Sequence, residues 1–228
     1  MKPEIENLIE KCSGVFFDLD GLLADTEEIH IMAYEIVAKK LNIKLTREYM
    51  HDFIGVATEE NVRKIIRDFN LKNLDANEII QMRYDCYLEA IKKSKIKPMD
   101  GAIEVLLKFK KMGFTTGLVT SSIKLHAEAV LMNLSRQMDN NMLLSDLFDV
   151  KVYGEEVNNP KPAPDIYLKA VKKAGLPPDR CIGLEDSQSG TISAKKAGLI
   201  TIAVPNYHTK NQTFDHADII LTSLRELL

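Results

Sequence analysis

The hydrophobic positions of this chain follow two rhythms. Short apolar runs recur at residues 14–19, 115–120, 150–153, 181–184, 199–204 and 217–221. Runs of this length, bounded by charged or turn residues, fit strands buried on both faces. Helical spacing fills the gaps between most of them. Ile103, Leu106 and Leu107 share a face that ends near Lys110 and Gly113, and helices are expected over 122–134, 165–174 before Gly175, and 190–197 before Gly198. Strand, helix, strand in succession requires right-handed crossovers and a mostly parallel sheet covered on both sides. Residues 135–146 are polar and Asn-rich, and are expected to form a loop.

One long stretch breaks the alternation. Between about residues 26 and 96 no strand-like run occurs, and three helical stripes replace it. They are Ile29, Ala33, Ile36 and Val37; Val62, Ile65, Ile66 and Phe69; and Ile79, Met82, Cys86, Tyr87, Ala90 and Ile91. Such stripes pack as a small bundle. The expected fold class is therefore α/β, a doubly wound, mostly parallel, Rossmann-like core with an inserted helical-bundle cap domain. Residues 1–25 and 97–228 are assigned to the core and 26–96 to the cap.

Composition narrows the picture. With 45% hydrophobic and 28% charged residues, the chain of 228 residues has enough apolar content to bury a core. A net charge of −3, from 30 basic and 33 acidic residues, argues against general affinity for nucleic acid or an acidic membrane surface. No apolar run approaches the roughly 20 residues that span a bilayer, and the segment MKPEIENLIEKC lacks the continuous apolar stretch of a signal peptide. Cys12, Cys86 and Cys181 are odd in number and widely spaced, which suits neither a disulfide framework nor a zinc site. A cytoplasmic, monomeric protein is the expectation, with higher oligomers left open.

Ligands of open parallel sheets bind at the carboxyl ends of the strands, and four polar groups fall there. They are Asp18-Leu19-Asp20, Thr120-Ser121-Ser122, Lys161 between prolines, and Glu185-Asp186-Ser187. Each alone suits a bland role: a solvated turn, a helix cap, a surface charge on a stiff loop. Together they supply hard oxygen ligands for Mg²⁺ and a cation with hydroxyls for a phosphate dianion.

In this order, the segments Asp18-Leu-Asp20-Gly-Leu-Leu-Ala-Asp25-Thr26-Glu27, Leu118-Val-Thr120-Ser121-Ser122, Lys161-Pro-Ala-Pro-Asp165 and Gly183-Leu-Glu185-Asp186-Ser187-Gln-Ser-Gly190 resemble the haloacid dehalogenase superfamily. The likeness is to its β-phosphoglucomutase-like phosphatase branch, and it extends over essentially the whole chain. It implies that Asp18 is the nucleophile and Asp20 the general acid and base. It implies Mg²⁺ held by Asp18, the backbone carbonyl of Asp20 and Asp186, with Glu185 acting through water or orienting the others. Thr120 and the Ser121 backbone would hold phosphoryl oxygens, and Lys161 would offset charge on nucleophile and phosphate together. The offset matters, because two like charges at ~4 Å repel by about 4 kcal/mol at an effective dielectric of 20.

The resemblance implies a phosphatase acting on a small phosphorylated metabolite, a sugar phosphate or nucleotide, with the inserted helices closing over it. His30 matches a position at which the β-phosphoglucomutase type carries a histidine linked to cap closure, and the stretch Ile54-Gly55-Val56-Ala57-Thr58 resembles its cap loop, so His30 and Gly55 are the expected cap and substrate residues. A phosphomutase of the β-phosphoglucomutase type is the alternative. That reaction needs a second phosphate site, and Thr58 stands where such an enzyme has an arginine; Arg63 or Arg67 are the available substitutes. A non-enzymatic phospho-acceptor, of the receiver kind, shares the aspartate, Mg²⁺ and lysine but is shorter and has no cap.

Overall fold

The computed structural model describes residues 3–138 and 142–228. Six parallel strands form one sheet: β1 (Gly14–Phe17), β2 (Thr115–Val119), β3 (Val150–Val152), β4 (Cys181–Glu185), β5 (Ile200–Ala203) and β6 (Ile219–Ile220). Their spatial order is β3-β2-β1-β4-β5-β6, so every expected strand is present, several shorter than the apolar run that announced it.

Helices α6 (Ala102–Lys111), α7 (Lys124–Ser135), α8 (Asp165–Ala174) and α9 (Gln188–Lys196) cover the sheet where the pattern placed them. The side chains of β1 divide as a pleat requires. Val15 and Phe17 enter the largest apolar cluster with α6 and α7, whereas Phe16 enters the cluster with α8 and α9. Gly117 in β2 makes room for Phe16, because a Cβ there would lie 2.1 Å from that ring.

A short helix, α1 (Pro3–Ile9), precedes β1. The hydrophobic pattern predicts no element there, and Ile5 and Ile9, one turn apart, are both buried. Within residues 135–146, helix α7 runs to Ser135 and a 3₁₀ turn occupies Leu144–Leu147, while 139–141 lie outside the described residues.

Between β1 and β2 lie α2 (Glu27–Lys40), α3 (Arg47–His51), α4 (Thr58–Asp68) and α5 (Ala76–Lys93). Helix α2 buries two faces. Ile29, Ala33 and Val37 join the main cluster with Tyr87 and Ile91 of α5, and Ile31 and Tyr34 join Met50, Phe53 and Ile65 in a smaller one. Ile36, expected on the buried stripe, is instead 37% exposed, because those two faces leave Met32 and Ile36 pointing outward.

Strand order fixes where the site must be. From β1 the chain steps to β2 and β3 on one side, then returns to place β4 on the other. The crevice at this reversal lies beyond the carboxyl ends of β1 and β4. Phe17 pairs with Leu184, so Asp18 and Glu185 follow side by side, and the Asp18 amide donates to Leu184 O at 3.1 Å.

Candidate active site

Three carboxylates, from Asp18, Glu185 and Asp186, offer oxygens that all lie within 4.8 Å of one another, and all three residues are buried. Lys161 inserts between two of them. Its Nζ donates to Asp18 Oδ1 at 2.6 Å, to Glu185 Oε1 at 2.5 Å and to Val119 O at 3.1 Å. The Tyr167 hydroxyl also donates to Glu185 Oε1, at 2.6 Å. Glu185 Oε2 is buried with no hydrogen-bond partner, beside Gly190, where a Cβ would collide with it.

The charges do not balance. One ammonium faces three carboxylates, and burial raises the Asp18 carboxyl well above the usual range, with Glu185 and Asp20 adding repulsion against the pull of Lys161. Asp186 is raised in the same way by burial and then by Asp18, Glu27 and Glu185. For Lys161 burial acts downward, but Asp18 and Glu185 outweigh it and hold the ammonium charged. Excess negative charge, hard oxygen donors and an orphaned carboxylate oxygen fit a small divalent cation.

Asp20 belongs to a different network. Its Oδ1 accepts from Thr26 Oγ1 at 2.7 Å and Tyr87 OH at 3.2 Å, and lies 3.2 Å from His30 Nε2; its Oδ2 accepts from Ser122 Oγ at 2.7 Å. Burial would raise this carboxyl, but the hydrogen bonds from His30, Thr26 and Ser122 outweigh it, holding Asp20 below the usual range. The His30 ring stacks on Tyr87 with centroids 4.1 Å apart, and its Nδ1 meets the Arg83 guanidinium. A guanidinium can only donate, so Nδ1 is the acceptor and Nε2 carries the hydrogen toward Asp20. Burial lowers the His30 pKa, in keeping with that neutral ring.

A cavity of about 540 Å³ opens between the sheet edge and the inserted helices. Asp18, Asp20, Thr120, Ser121, Lys161 and Asp186 line it from the sheet edge, and His30 and Gly55 line it from the inserted segment. Thr120 Oγ1 accepts from the Ser122 amide at 3.0 Å. Gly55, at φ +76°, packs so closely on the start of α9 that Ser189 Oγ donates to its carbonyl at 2.5 Å. Arg63 lines the cavity from an exposed position, and Arg67 instead pairs with Asp68 at 3.0 Å.

Every expected site residue therefore gathers at this crevice. Several neighbours carried no expectation. Asn206, just beyond the end of β5, donates from Nδ2 to Asp186 Oδ2 at 2.8 Å and to Gly21 O at 3.0 Å. The rule that located the other residues, a polar side chain past a strand's carboxyl end, would have found it. Arg83, Tyr87 and Tyr167 gave no such signal, because they sit inside helical stripes.

A family model described as haloacid dehalogenase-like hydrolase matches residues 15–204. The chain belongs to this family. Among haloacid dehalogenase-like hydrolases it is similar to a phosphorylated carbohydrates phosphatase of Thermotoga maritima, 31% identical over 82% of each chain. It is similar in structure to CbbY from Rhodobacter sphaeroides in complex with phosphate, with a TM-score of 0.84 and 26% identity over 95% of this chain and 96% of that one. It also resembles a β-phosphoglucomutase structure from Clostridium difficile, with a TM-score of 0.82 and 25% identity over 95% and 93% of the two chains. These neighbours lie in the branch to which the sequence motifs pointed. Among the described residues of this haloacid dehalogenase-like chain, no helix is long and apolar enough to cross a membrane.

Proposed function

We propose that this hydrolase is a Mg²⁺-dependent phosphatase that cleaves a small phosphorylated metabolite of the sugar-phosphate class through an aspartyl-phosphate on Asp18. Its reaction class is phosphoric monoester hydrolysis. The observation that carries the reading is the crowding of Asp18, Glu185 and Asp186 around a single ammonium beside the cavity between the sheet edge and the inserted helices. The relative named for phosphorylated carbohydrates, and the neighbour solved with phosphate, support the substrate class.

Asp18 and Asp186 would hold the ion, together with the Asp20 backbone carbonyl, and Glu185 would orient them. When bound, the ion would neutralise charge on the carboxylates and the phosphoryl group. An Asp18 oxygen attacks phosphorus, the bond from phosphorus to the leaving oxygen breaks, and Asp20 gives that oxygen its proton. Asp20 then takes a proton from water as the water oxygen attacks the phosphoryl group, which releases phosphate and restores the Asp18 carboxylate. Asp20 is held ionised by its donors in the free protein, so the proton it delivers is taken up as the phosphate dianion arrives. Thr120 and Ser121 would bind phosphoryl oxygens, and Lys161 would balance the anionic nucleophile against its anionic target.

Residues 26–96 would act as a cap that excludes water and contacts the rest of the substrate, with Gly55 meeting Ser187 and Ser189 in the closed position. The test is a panel of sugar phosphates and nucleotides with Mg²⁺ or with chelator, scoring free phosphate and isomerised product separately. Chelator-sensitive phosphate release is expected. Isomerised sugar phosphate with little release would make it a mutase, and no turnover of any phosphoester would overturn the assignment.

A further inference from the structure

Asn206 stands just beyond β5 and closes a turn around its own side chain. Its Oδ1 accepts from the His208 amide at 2.7 Å and from the Thr209 amide at 3.2 Å. Its backbone amide donates to the hydroxyl of Thr209, a fully buried residue, at 3.0 Å, and its carbonyl accepts from the Lys210 amide at 2.9 Å. These contacts fix which way the side-chain amide faces. Donors surround Oδ1, so the NH₂ group points the other way, where both neighbours are acceptors: Asp186 Oδ2 at 2.8 Å and Gly21 O at 3.0 Å.

The far side of this contact is shaped to receive it. Gly21 has φ +82°, and a Cβ there would overlap both Asp186 Oδ2 and Asn206 Nδ2. The bare backbone lets the Asp186 carboxylate, the Asn206 amide and the turn that follows Asp20 meet at one point. Among the described residues nothing donates a hydrogen bond to the other carboxylate oxygen, Asp186 Oδ1. A carboxylate pinned in this way presents one oxygen to an ion. That suits Mg²⁺, which demands a near-ideal octahedron. It disfavours Ca²⁺, which takes roughly six to eight oxygens in looser geometry and readily binds both oxygens of one carboxylate.

We propose that Asn206 is a positioning residue for the divalent ion: by occupying Asp186 Oδ2 and tethering the Gly21 turn, it makes Asp186 a one-oxygen ligand and selects Mg²⁺ over Ca²⁺. This inference rests on the Mg²⁺-dependent phosphatase reading and adds the group that sets its metal preference. A second anchor of the same loop supplies a control. Gln212 Oε1 accepts from the Gln188 amide at the start of α9, at 2.7 Å, and that bond holds the loop without reaching Asp186 or Gly21.

The experiment is calorimetric titration of Mg²⁺ and of Ca²⁺ into substrate-free wild type, Asn206→Ser, Asn206→Ala and Gln212→Ala. Serine keeps an oxygen able to cap the turn but is too short to reach Asp186. Wild type should bind Mg²⁺ more tightly than Ca²⁺. Both Asn206 variants should bind Mg²⁺ about ten- to a hundredfold more weakly, the usual cost of losing a group that orients a metal ligand, with Ca²⁺ affinity changed by less than about threefold. Gln212→Ala should keep the wild-type ratio of the two affinities within about threefold. In turnover, the Mg²⁺ concentration for half-maximal rate should rise in the Asn206 variants, while KM for substrate at saturating Mg²⁺ stays within about threefold of wild type. Equal losses for both ions, unchanged affinity for both, or the same change of ratio in Gln212→Ala would overturn the proposal and leave the phosphatase reading in place. Should Asn206→Ala fail to fold, Asn206→Ser decides, and tighter binding of Ca²⁺ than of Mg²⁺ by wild type overturns the proposal without any variant. A wild type that binds neither ion would instead remove the metal from the phosphatase reading, and this proposal with it.

Discussion

Lys161 Nζ lies 2.6 Å from Asp18 Oδ1, and the two side chains are only 3% and 9% exposed. The ammonium reaches Glu185 as well, at 2.5 Å, so it holds apart two carboxylates that adjacent strands bring side by side. Removing it leaves like charges buried together. Lys161→Met should lower unfolding free energy by about 3–5 kcal/mol in chelator, the range found when one partner of a buried pair is lost. The loss should be larger at pH 8 than at pH 5, because the orphaned carboxyls can protonate at the lower value. Denaturant unfolding at both pH values measures this; a loss under about 1 kcal/mol would mean that the pair contributes little.

Asp186→Asn should weaken Mg²⁺ binding by an order of magnitude or more, since an amide brings no negative charge to a hard cation. Calorimetric Mg²⁺ titration and the metal dependence of the rate should shift together. An unchanged metal dependence would assign the ion to other ligands.

Asp20→Asn should separate the two half-reactions. Substrates with a good leaving group, such as p-nitrophenyl phosphate, need little protonation and should still load the enzyme, whereas release should slow by about a hundredfold or more without the base. Rapid-quench measurement should show a burst of nitrophenol followed by slow turnover. Equal slowing of both phases would remove Asp20 from the water-activating role.

Glu27 ties pH to stability. Burial, followed by repulsion from Asp20 and Asp25, raises its carboxyl from 4.5 to about 8 in the folded protein. Between those values the folded state binds more protons than the unfolded one, so this contribution is fully present below about 4.5 and is lost as pH rises through about 8. Glu27→Gln should flatten the decline in Tm between pH 5 and pH 9 in chelator. A parallel decline in both proteins would show that Glu27 ionises freely.

The sheet and its reaction centre were legible because the same physics writes both. Strands buried on both faces must be continuous apolar runs, and polar residues directly after such runs must converge at the edge where ligands bind. Asp18, Thr120, Glu185 and Asp186 all follow that grammar. Arg83 and Tyr87 do not. They occupy positions on α5 within or beside an apolar stripe, and their significance arises from contacts with His30 and Asp20 that lie 53 and 67 residues away in the chain. The exposure of Ile36 was hidden for a related reason: a helix packed on two sides has no single apolar face to read. Which inserted residues face the cavity depends on how α2 and α5 are rotated, and spacing alone leaves that rotation open.

The central claim is that an Asp18 oxygen becomes esterified to phosphorus, and borohydride trapping during turnover with Mg²⁺ tests it most directly. Reduction of an acyl phosphate should convert Asp18 to homoserine, detected by peptide mass spectrometry, in wild type with substrate and not in Asp18→Asn or in chelator. Unmodified Asp18 under full turnover, or Asp18→Asn retaining more than about a tenth of wild-type activity, would contradict the account.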